Sequence, residues 1–235
     1  MQQPELIPHL FRTEFRKITA VLCKRFGIEH MEIAEDLASE TFLSALEIWP
    51  YNGIPENPIA WLYHVAKNKA KNYFIRNKIF TEKISPQLSY SGEKTDEIII
   101  DLSGENISDS QLQMLFAICH PAIPPEAQIG LVLRVLCGFG IDEIANAFVT
   151  NKETINKRLF RAREKLRIEK VPIEFPDEKE INKRLETVLT TLYLLFSEGY
   201  YSESRDTVLR NELCGEAMRL TELLIENEQT NLPEV

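Results

Sequence analysis

The sequence predicts an all-α protein, and three observations carry that prediction. Apolar residues recur at helical spacing in every segment with a clear pattern. No segment shows a convincing strand pattern. Proline, glycine and capping residues punctuate the chain at intervals that suit helices of ordinary length. The 235 residues, 44% of them hydrophobic, suffice for two small domains or one large one.

Three amphipathic helices are predicted in the first 78 residues. The first covers residues 5–26, and the second covers residues 31–49, where a turn at residues 50–55 rich in proline ends it. Asn57 followed by proline is a strong helix start, so a third helix is expected from residue 58 to about residue 77. The residues expected on the buried side of the first helix are Leu6, Leu10, Phe11, Phe15, Ile18 and Leu22. The apolar residues of the second helix are Leu37, Phe42, Ala45, Leu46 and Trp49.

The rest of the chain divides into three further segments. Residues 79–111 are rich in serine, glycine and acidic residues, which predicts an acidic, flexible linker. Residues 112–170 form a second helical domain. An acidic extension, residues 171–235, carries helical patterns at 179–197 and 207–227, with Gly199 as the expected end of the first. Together these two helices predict a helical hairpin.

Residues 138–167 have the pattern of a helix-turn-helix. The first helix has an apolar face, and in the second Ile155, Leu159 and Leu166 recur at helical spacing. Thr150 and Glu153 have the spacing of a capping box, which predicts the start of the second helix. The cationic residues expected on its outer surface are Lys157, Arg158, Arg161, Arg163, Lys165 and Arg167. Such a helix suits the DNA major groove; the alternative is a solvated helical hairpin.

Charge is distributed unevenly along the chain. The net charge is −9, but residues 151–170 hold eight Lys/Arg against three Glu, a net of +5. Residues 171–235 hold six Lys/Arg and fourteen Asp/Glu, a net of −8. Because local charge governs phosphate affinity, the acidic total does not exclude DNA binding. The asymmetry also raises the hypothesis that the acidic extension shields a basic surface of the same chain.

The third helix is a second candidate for nucleic-acid binding. Asn68 and Asn72 lie four residues apart on one face, as do Lys67 and Lys71, and Arg76 extends the positive surface. The aromatic residues Trp61, Tyr63, Tyr73 and Phe74 interleave with them. Aromatic rings stack on unpaired bases, and amides bond base edges. The alternative is that the aromatics are core residues and the lysines merely solvated.

The second helix is acidic and has no Lys or Arg to balance it. The helix is predicted to have a surface that docks on a basic partner. Its acidic residues would be Asp36, Glu40 and Glu47, and Leu37 and Phe42 are expected to be exposed beside them. A merely solvated acidic face is the alternative.

Enzymatic and membrane functions have little support in the sequence. It lacks the G-x-x-x-x-G-K-[ST], G-x-S-x-G and H-E-x-x-H motifs, so we expect no enzyme activity. The four cysteines are scattered and Cys119-His120 is an isolated pair, which predicts no metal site and no cofactor. No apolar run is long enough to span a membrane, and the amino terminus lacks a signal-peptide core. The prediction is a reduced, cytoplasmic protein without a membrane partner.

The order of these segments resembles that of a bacterial extracytoplasmic-function (ECF) sigma factor. Residues 34–50, AEDLASETFLSALEIWP, resemble sigma regions 2.1–2.2, and NPIAWLYHVAKNKAKNYFIRNK resembles regions 2.3–2.4. Residues 112–167, which include LFRAREKL, resemble region 4. The resemblance implies region 2 at residues 1–78, the linker at 79–111 and region 4 at 112–170.

The resemblance also implies partners and contact residues. Its partners would be core RNA polymerase, through the β′ clamp helices and the β flap, and promoter DNA. Core contacts would fall on Asp36, Leu37, Glu40, Thr41 and Phe42. The loop 52–57 would hold a flipped base, and the −10 element would be read by Asn57, Trp61, Lys67, Asn68, Lys71, Asn72 and Arg76. The −35 element would be read by Thr154, Asn156, Lys157, Arg158, Phe160 and Arg161.

Residues 171–235 resemble the start of the extension in a subgroup whose members carry TPR-like helical repeats. FAICHPAIPPEAQ before region 4 and LYLLFSEGYYSES after it support this assignment. Members of that subgroup are longer, so a short variant or a shortened chain is expected. We expect this segment to pack on region 2 or region 4 and to modulate the factor. A conventional helix-turn-helix regulator that never binds core polymerase remains the alternative function.

Overall fold

The computed structural model describes residues 3–84, 100–201 and 207–230, and all regular structure in these ranges is helical. The predicted all-α class is confirmed. The elements, in chain order, are α1 (Gln3–Phe26), a 3₁₀ turn (Ile28–His30), α2 (Met31–Asn52), α3 (Pro58–Ile84), α4 (Gly104–Ile118), α5 (Pro125–Leu131), a π-helical segment (Val132–Leu136), α6 (Ile141–Ala147), α7 (Lys152–Ile168), α8 (Glu178–Tyr201) and α9 (Thr207–Glu226).

Helices α1, α2 and α3 pack together as an amino-terminal bundle. Phe42 of α2 lies against Phe11 and Phe15 of α1, with ring centroids 5.1 and 6.4 Å away. Tyr63 of α3 donates a hydrogen bond of 2.6 Å to buried Glu14 of α1. The pKa of Tyr63 is raised, mainly because the side chain is buried and further because of the hydrogen bond to Glu14 and the negative charge of Glu14. These contacts fix α3 on α1.

Helix α2 runs past the proline that was predicted to end it. Pro50 lies in the last turn, where its missing backbone N–H removes one hydrogen bond at the end of the helix and leaves the preceding bonds in place. The helix ends instead at Gly53, whose φ of +83° suits glycine and whose N–H donates to the carbonyl of Trp49 at 3.0 Å.

Helix α4 lies partly in the segment that was predicted to be a linker. One serine of that segment is the N-cap of α4: the Ser103 hydroxyl accepts a hydrogen bond from the N–H of Asn106. Ile107, Leu112 and Leu115 of α4 are buried, and α4 packs along α1. The predicted linker 79–111 therefore loses 79–84 to α3 and 104–111 to α4, while residues 85–99 lie outside the described part.

Helices α4–α7 and the π-helical segment form the helix-turn-helix unit. Gly140 precedes α6, and its N–H donates to the Glu143 carboxylate at 2.7 Å. The cap of α7 is Asn151, whose side-chain oxygen accepts from the N–H of Thr154 at 2.8 Å. The predicted capping box starting at Thr150 was wrong, since the helix starts one residue later. The predicted apolar face of α7 is confirmed: Ile155, Leu159, Ala162 and Leu166 are all buried.

Helices α8 and α9 form the carboxy-terminal hairpin. The hairpin packs on α4 and α5, and Arg219 of α9 donates to the carbonyl of Leu136 at 3.0 Å. Glu216 of α9 pairs with Arg16 of α1. Gly199 does not end α8; it is buried within the helix, which continues to Tyr201. The three parts of the chain thus share one continuous apolar core, rather than standing as separate modules.

In the described ranges, no helix combines the length and the apolar character that crossing a membrane requires.

Candidate nucleic-acid interface

The exposed face of α3 collects most of the residues predicted to read the −10 element. Lys67, Asn68, Lys71, Asn72 and Arg76 are all exposed and recur at spacings of three or four. The opposite face of the helix is apolar, and its Leu62, Ala66 and Ala70 are fully buried. The helix therefore presents its amides and cations together on one continuous surface.

Asn57 and Trp61 stand apart from that surface. Asn57 caps α3, because its side-chain oxygen accepts from the N–H of Ala60 at 3.0 Å. Trp61 is half-buried and meets Trp49 edge to face at 5.4 Å. Both residues shape the start of α3, and only part of the indole is left for contact with a base.

His64 is a residue on this face that sequence analysis missed. Its Nε2 lies 2.9 Å from the side-chain nitrogen of Asn68, one turn further along α3. Both side chains are exposed. The four-residue spacing to Asn68 was a signal that could have found it.

The structure corrects the predicted protein-docking face of α2. Asp36 and Glu40 are exposed, but Leu37 and Phe42 are only 7% and 3% exposed, and Thr41 is fully buried. Phe42 packs on the aromatic rings of α1, and the Thr41 hydroxyl donates to the carbonyl of Leu37 at 2.8 Å. These three side chains support the bundle instead of presenting themselves to a partner.

The solvent face of α2 has a different apolar component. Leu43 and Leu46 are 54% and 52% exposed. They share their side of the helix with Asp36 and Glu40, at the spacings that place residues on one face. We call this face the α2 stripe; its members are Asp36, Ser39, Glu40, Leu43, Leu46 and Glu47. The spacing of three and four residues from Asp36 along the sequence was a signal that could have found this face.

Helix α7 exposes most of the residues predicted to read the −35 element. Thr154, Asn156, Lys157, Phe160 and Arg161 are exposed. Arg158 is half-buried, and its guanidinium lies 5.7 Å from the ring centre of Phe148, just after α6. That contact holds Arg158 against the turn side of the motif.

Acidic residues of the same helix neutralise several of its cations. Lys157 lies 3.9 Å from Glu153, and Arg167 lies 2.7 Å from Glu164. Lys165 lies 2.7 Å from Glu169, just beyond the helix. Hydrogen bonds from Arg167 and Lys165 lower the pKa of Glu164 and of Glu169. These acids compete with DNA phosphates for the cations.

Arg163 does not belong to the exposed basic surface, contrary to the sequence prediction. It donates to the Glu35 carboxylate of α2 at 2.8 Å and lies 3.7 Å from Glu32. Arg134 approaches Glu35 at 3.7 Å. Cys23 lies beneath this cluster, and burial, then the Glu35 charge, raise the pKa of its thiol. Helix α7 is thus docked on the start of α2 and the preceding 3₁₀ turn.

The fold is all-helical, with one candidate reading helix in the amino-terminal bundle and one in a helix-turn-helix. Residues 10–79 match the family model described as Sigma-70 region 2. Residues 184–235 match a family of unknown function (DUF6596).

Curated relatives extend this comparison. The chain is 32% identical to Uncharacterized protein R00370 of Rhizobium meliloti (strain 1021), over 83% of this chain and 47% of that protein. It is 28% identical to the ECF RNA polymerase sigma-E factor of Salmonella typhimurium (strain 14028s / SGSC 2262), over 55% of this chain and 69% of that protein. It is 31% identical to the ECF RNA polymerase sigma-E factor of Escherichia coli (strain K12), over 44% of this chain and 56% of that protein.

The region 2 match and the sigma-E relatives support an ECF-type sigma factor, as the sequence resemblance predicted. The chain spans about half the length of the Rhizobium relative. No solved structure matches it. The subgroup with TPR-like repeats stays a prediction.

Proposed function

We propose that this chain is an alternative sigma factor of the ECF type, which binds core RNA polymerase in the cytoplasm and directs it to promoters. The observation that carries the proposal is the exposed face of α3: within a segment that matches sigma-70 region 2, it joins amides and cations on one surface. Amides bond base edges and cations bind phosphates, so this face suits the −10 element. The conventional helix-turn-helix regulator is not favoured by the comparisons.

The α2 stripe is the proposed contact with core polymerase. Its carboxylates suit a basic partner surface, and Leu43 and Leu46 add exposed apolar area of the kind that interfaces bury. Among the predicted contacts, Asp36 and Glu40 belong to the stripe. Leu37, Thr41 and Phe42 hold it in place from below. In this proposal the β′ clamp helices are the part of polymerase that binds the stripe.

Helix α7 is the proposed reader of the −35 element. Its exposed residues from Thr154 to Arg161 lie in its first half, the part that a helix-turn-helix inserts in the major groove. The β flap is the part of polymerase assigned to this unit. Because several cations are paired with acids of α7, we expect duplex binding by this unit alone to be weak.

The carboxy-terminal hairpin is proposed to modulate the factor. Glu216 pairs with Arg16 in the amino-terminal bundle, and Arg219 bonds Leu136 in the helix-turn-helix unit. A segment that contacts both units can restrain how they move relative to each other.

Co-purification with core polymerase tests the proposal. We expect wild type to bind core, and Asp36→Arg/Glu40→Arg to weaken binding by about tenfold or more, because two charges of the stripe are reversed. The matched control is Glu186→Arg/Glu222→Arg, which makes the same charge change on exposed residues of the hairpin. Absence of binding by wild type, or an equal loss in the control, would contradict the proposal.

A further inference from the structure

We propose that His64 is a positioning residue for Asn68, and that the hydrogen bond between them makes Asn68 select a base that presents an amino group, adenine or cytosine. The selectivity rests on the proposed function, because it names the base chemistry that α3 reads in the −10 element. The hydrogen bond itself belongs to the free chain and has a test of its own. We call these two residues the His64–Asn68 pair.

The pair lies on the exposed face of α3 that carries the predicted −10 contacts. His64 and Asn68 are one helical turn apart, and both side chains are exposed. The Nε2 atom of His64 lies 2.9 Å from the Nδ2 atom of Asn68, a normal length for a hydrogen bond. Exposed Lys67 and Lys71 share this surface. A base that approaches the lysines along its phosphate backbone therefore meets the pair.

The helix under the pair is held firmly. Leu62 and Ala66 are fully buried, and Tyr63, the residue before His64, donates a hydrogen bond of 2.6 Å to Glu14 of α1. These contacts fix the rotation of α3 about its own axis. Because the two side chains also hold each other, the pair keeps one orientation toward a ligand on this face.

The hydrogen bond defines the state of the imidazole. The amide nitrogen of asparagine is a donor and never an acceptor. Since two donors cannot bond each other, the Nε2 atom of His64 must accept, and the ring hydrogen lies on Nδ1. In this arrangement the imidazole is neutral. Its contribution to the face is therefore the direction that it gives to Asn68, rather than a positive charge.

The same bond fixes the two ends of the Asn68 amide. An unpaired asparagine turns either its oxygen or its nitrogen toward a ligand by rotation about one bond. With Nδ2 held at His64, the Oδ1 atom of Asn68 is directed away from the imidazole, together with the second hydrogen of Nδ2. The pair thus presents an acceptor with a donor beside it.

This arrangement matches the amino bases. The N6 amino group of adenine donates to an asparagine oxygen while the amide N–H donates to N7, and the N4 amino group of cytosine donates in the same way. Guanine and thymine carry the keto oxygens O6 and O4 at the equivalent positions, and each would face Oδ1 as a second acceptor. We therefore expect the order adenine, then cytosine, then the two keto bases.

Asn72 provides an internal comparison. It lies one turn beyond Asn68 on the same exposed face, but its side chain makes no hydrogen bond within the described ranges. Its amide is therefore able to turn either end toward a base. The selectivity for amino bases is expected at the base that Asn68 contacts and not at the base that Asn72 contacts.

Selection from a promoter library tests the selectivity. Holoenzyme reconstituted with the chain is bound to DNA randomised across both promoter elements, and the bound fraction is sequenced. The contacted base is identified as the position where Asn68→Ala removes the preference. Wild type should favour adenine and cytosine there. His64→Phe, which lacks the acceptor, should lower the amino-over-keto preference about fivefold, the worth of an ordinary hydrogen bond.

Two further variants separate positioning from a structural role. His64→Gln retains an acceptor at the same spacing and should keep the preference. Asn68→Asp presents an oxygen in either orientation, so His64→Phe should not change the preference in that background. The control is His9→Phe, the same change at an exposed position of α1. A structural role of His64 would weaken binding to all sequences alike and leave the preference unmoved.

Several results would overturn the selectivity while wild type still binds promoter DNA. They are a keto preference or no preference at the assigned position, an unchanged preference in His64→Phe, and an equal effect of His64→Phe in the Asn68→Asp background. A chain that never binds core polymerase or promoter DNA would refute the proposed function, and the base selectivity with it.

Nitrogen-15 NMR of the free chain tests the hydrogen bond independently of polymerase. At alkaline pH, the ring of His64 should carry its hydrogen on Nδ1, and Asn68→Ala should shift the Nε2 resonance. The ring nitrogens of His9 should not respond to Asn68→Ala. A hydrogen on Nε2 of His64, or an Nε2 resonance that Asn68→Ala leaves unchanged, would overturn the pair.

Discussion

The two candidate reading helices, α3 and α7, are both long and basic, but their charges are placed differently. On α3, the exposed cations Lys67, Lys71 and Arg76 make no ion pair with any acid in the described part of the chain. On α7, five of the seven cations already have an acidic partner, which lies in α7, just beyond it, in α6 or in α2. A phosphate can bind these α3 cations directly, whereas at the paired cations of α7 it must first displace a carboxylate of the protein.

The primary sequence explains part of this difference. Residues 58–76 contain no Asp or Glu, while α7 has Glu153 and Glu164 placed one turn from a cation. The comparison therefore predicts that α3 supplies more of the phosphate affinity and that α7 contributes mainly through its uncharged contacts and position.

Charge reversal gives the largest expected effect. In the reconstituted holoenzyme, Lys67→Glu/Lys71→Glu should weaken promoter binding by about a hundredfold, and Lys157→Glu/Arg161→Glu by about tenfold. The salt dependence should fall more in the α3 variant, by about 0.7 in the log–log slope for each phosphate contact on single strands. Promoter binding measured at several salt concentrations checks both values, with Lys170→Glu as the control. An equal loss of promoter affinity in the two variants would contradict the predicted difference between α3 and α7.

The helix caps give an intermediate effect. Asn57 caps α3 and Asn151 caps α7, each through one hydrogen bond to the backbone. Replacing either by Ala should cost about 1 kcal/mol and lower the melting temperature by roughly 2–4 °C. Ser at the same position should restore most of the stability. If Asn57 also contacts DNA, Asn57→Ser will restore melting but not promoter opening, whereas Asn151→Ser will restore both.

Removing acids from α7 gives the smallest effect. Glu153→Gln and Glu164→Gln should each raise duplex affinity for the −35 element by roughly twofold, because exposed ion pairs are weak. The matched control is Glu186→Gln on the hairpin, which should leave affinity unchanged. Titration of a −35 duplex at low salt checks this. A loss of affinity in the α7 variants would indicate that the acids position the cations instead of competing for them.

Local signals predicted much of the fold. The apolar residues of α7, α8 and α9 were assigned correctly from periodicity, and all of those in the hairpin (Ile181, Leu185, Val188, Leu192, Leu195, Leu213, Ala217, Leu220 and Leu224) are buried. Asn57 was correctly placed at the start of α3. Such features depend on residues three or four apart, which the sequence displays directly.

The predictions that were wrong concern which face of a helix packs against neighbouring helices. Leu37 and Phe42 were taken as exposed because they accompany acids, but both are buried, and Phe42 packs on the aromatic rings of α1. Phe11 was expected on the buried side of α1 and is 36% exposed. The start of α4 was assigned to the linker because helix caps and linkers favour the same residue types. Only the packing of α4 on α1 distinguishes the two.

The sequence by itself determined the all-α class, the basic character of α3 and α7, and the acidic carboxy-terminal extension, because composition and short-range spacing set these. The tertiary structure alone decided that Arg163 faces Glu35 instead of solvent and that α1 joins the two units through α4. Each of these depends on a neighbour more than 80 residues away or on the packing angle of a whole helix, and no local pattern encodes either.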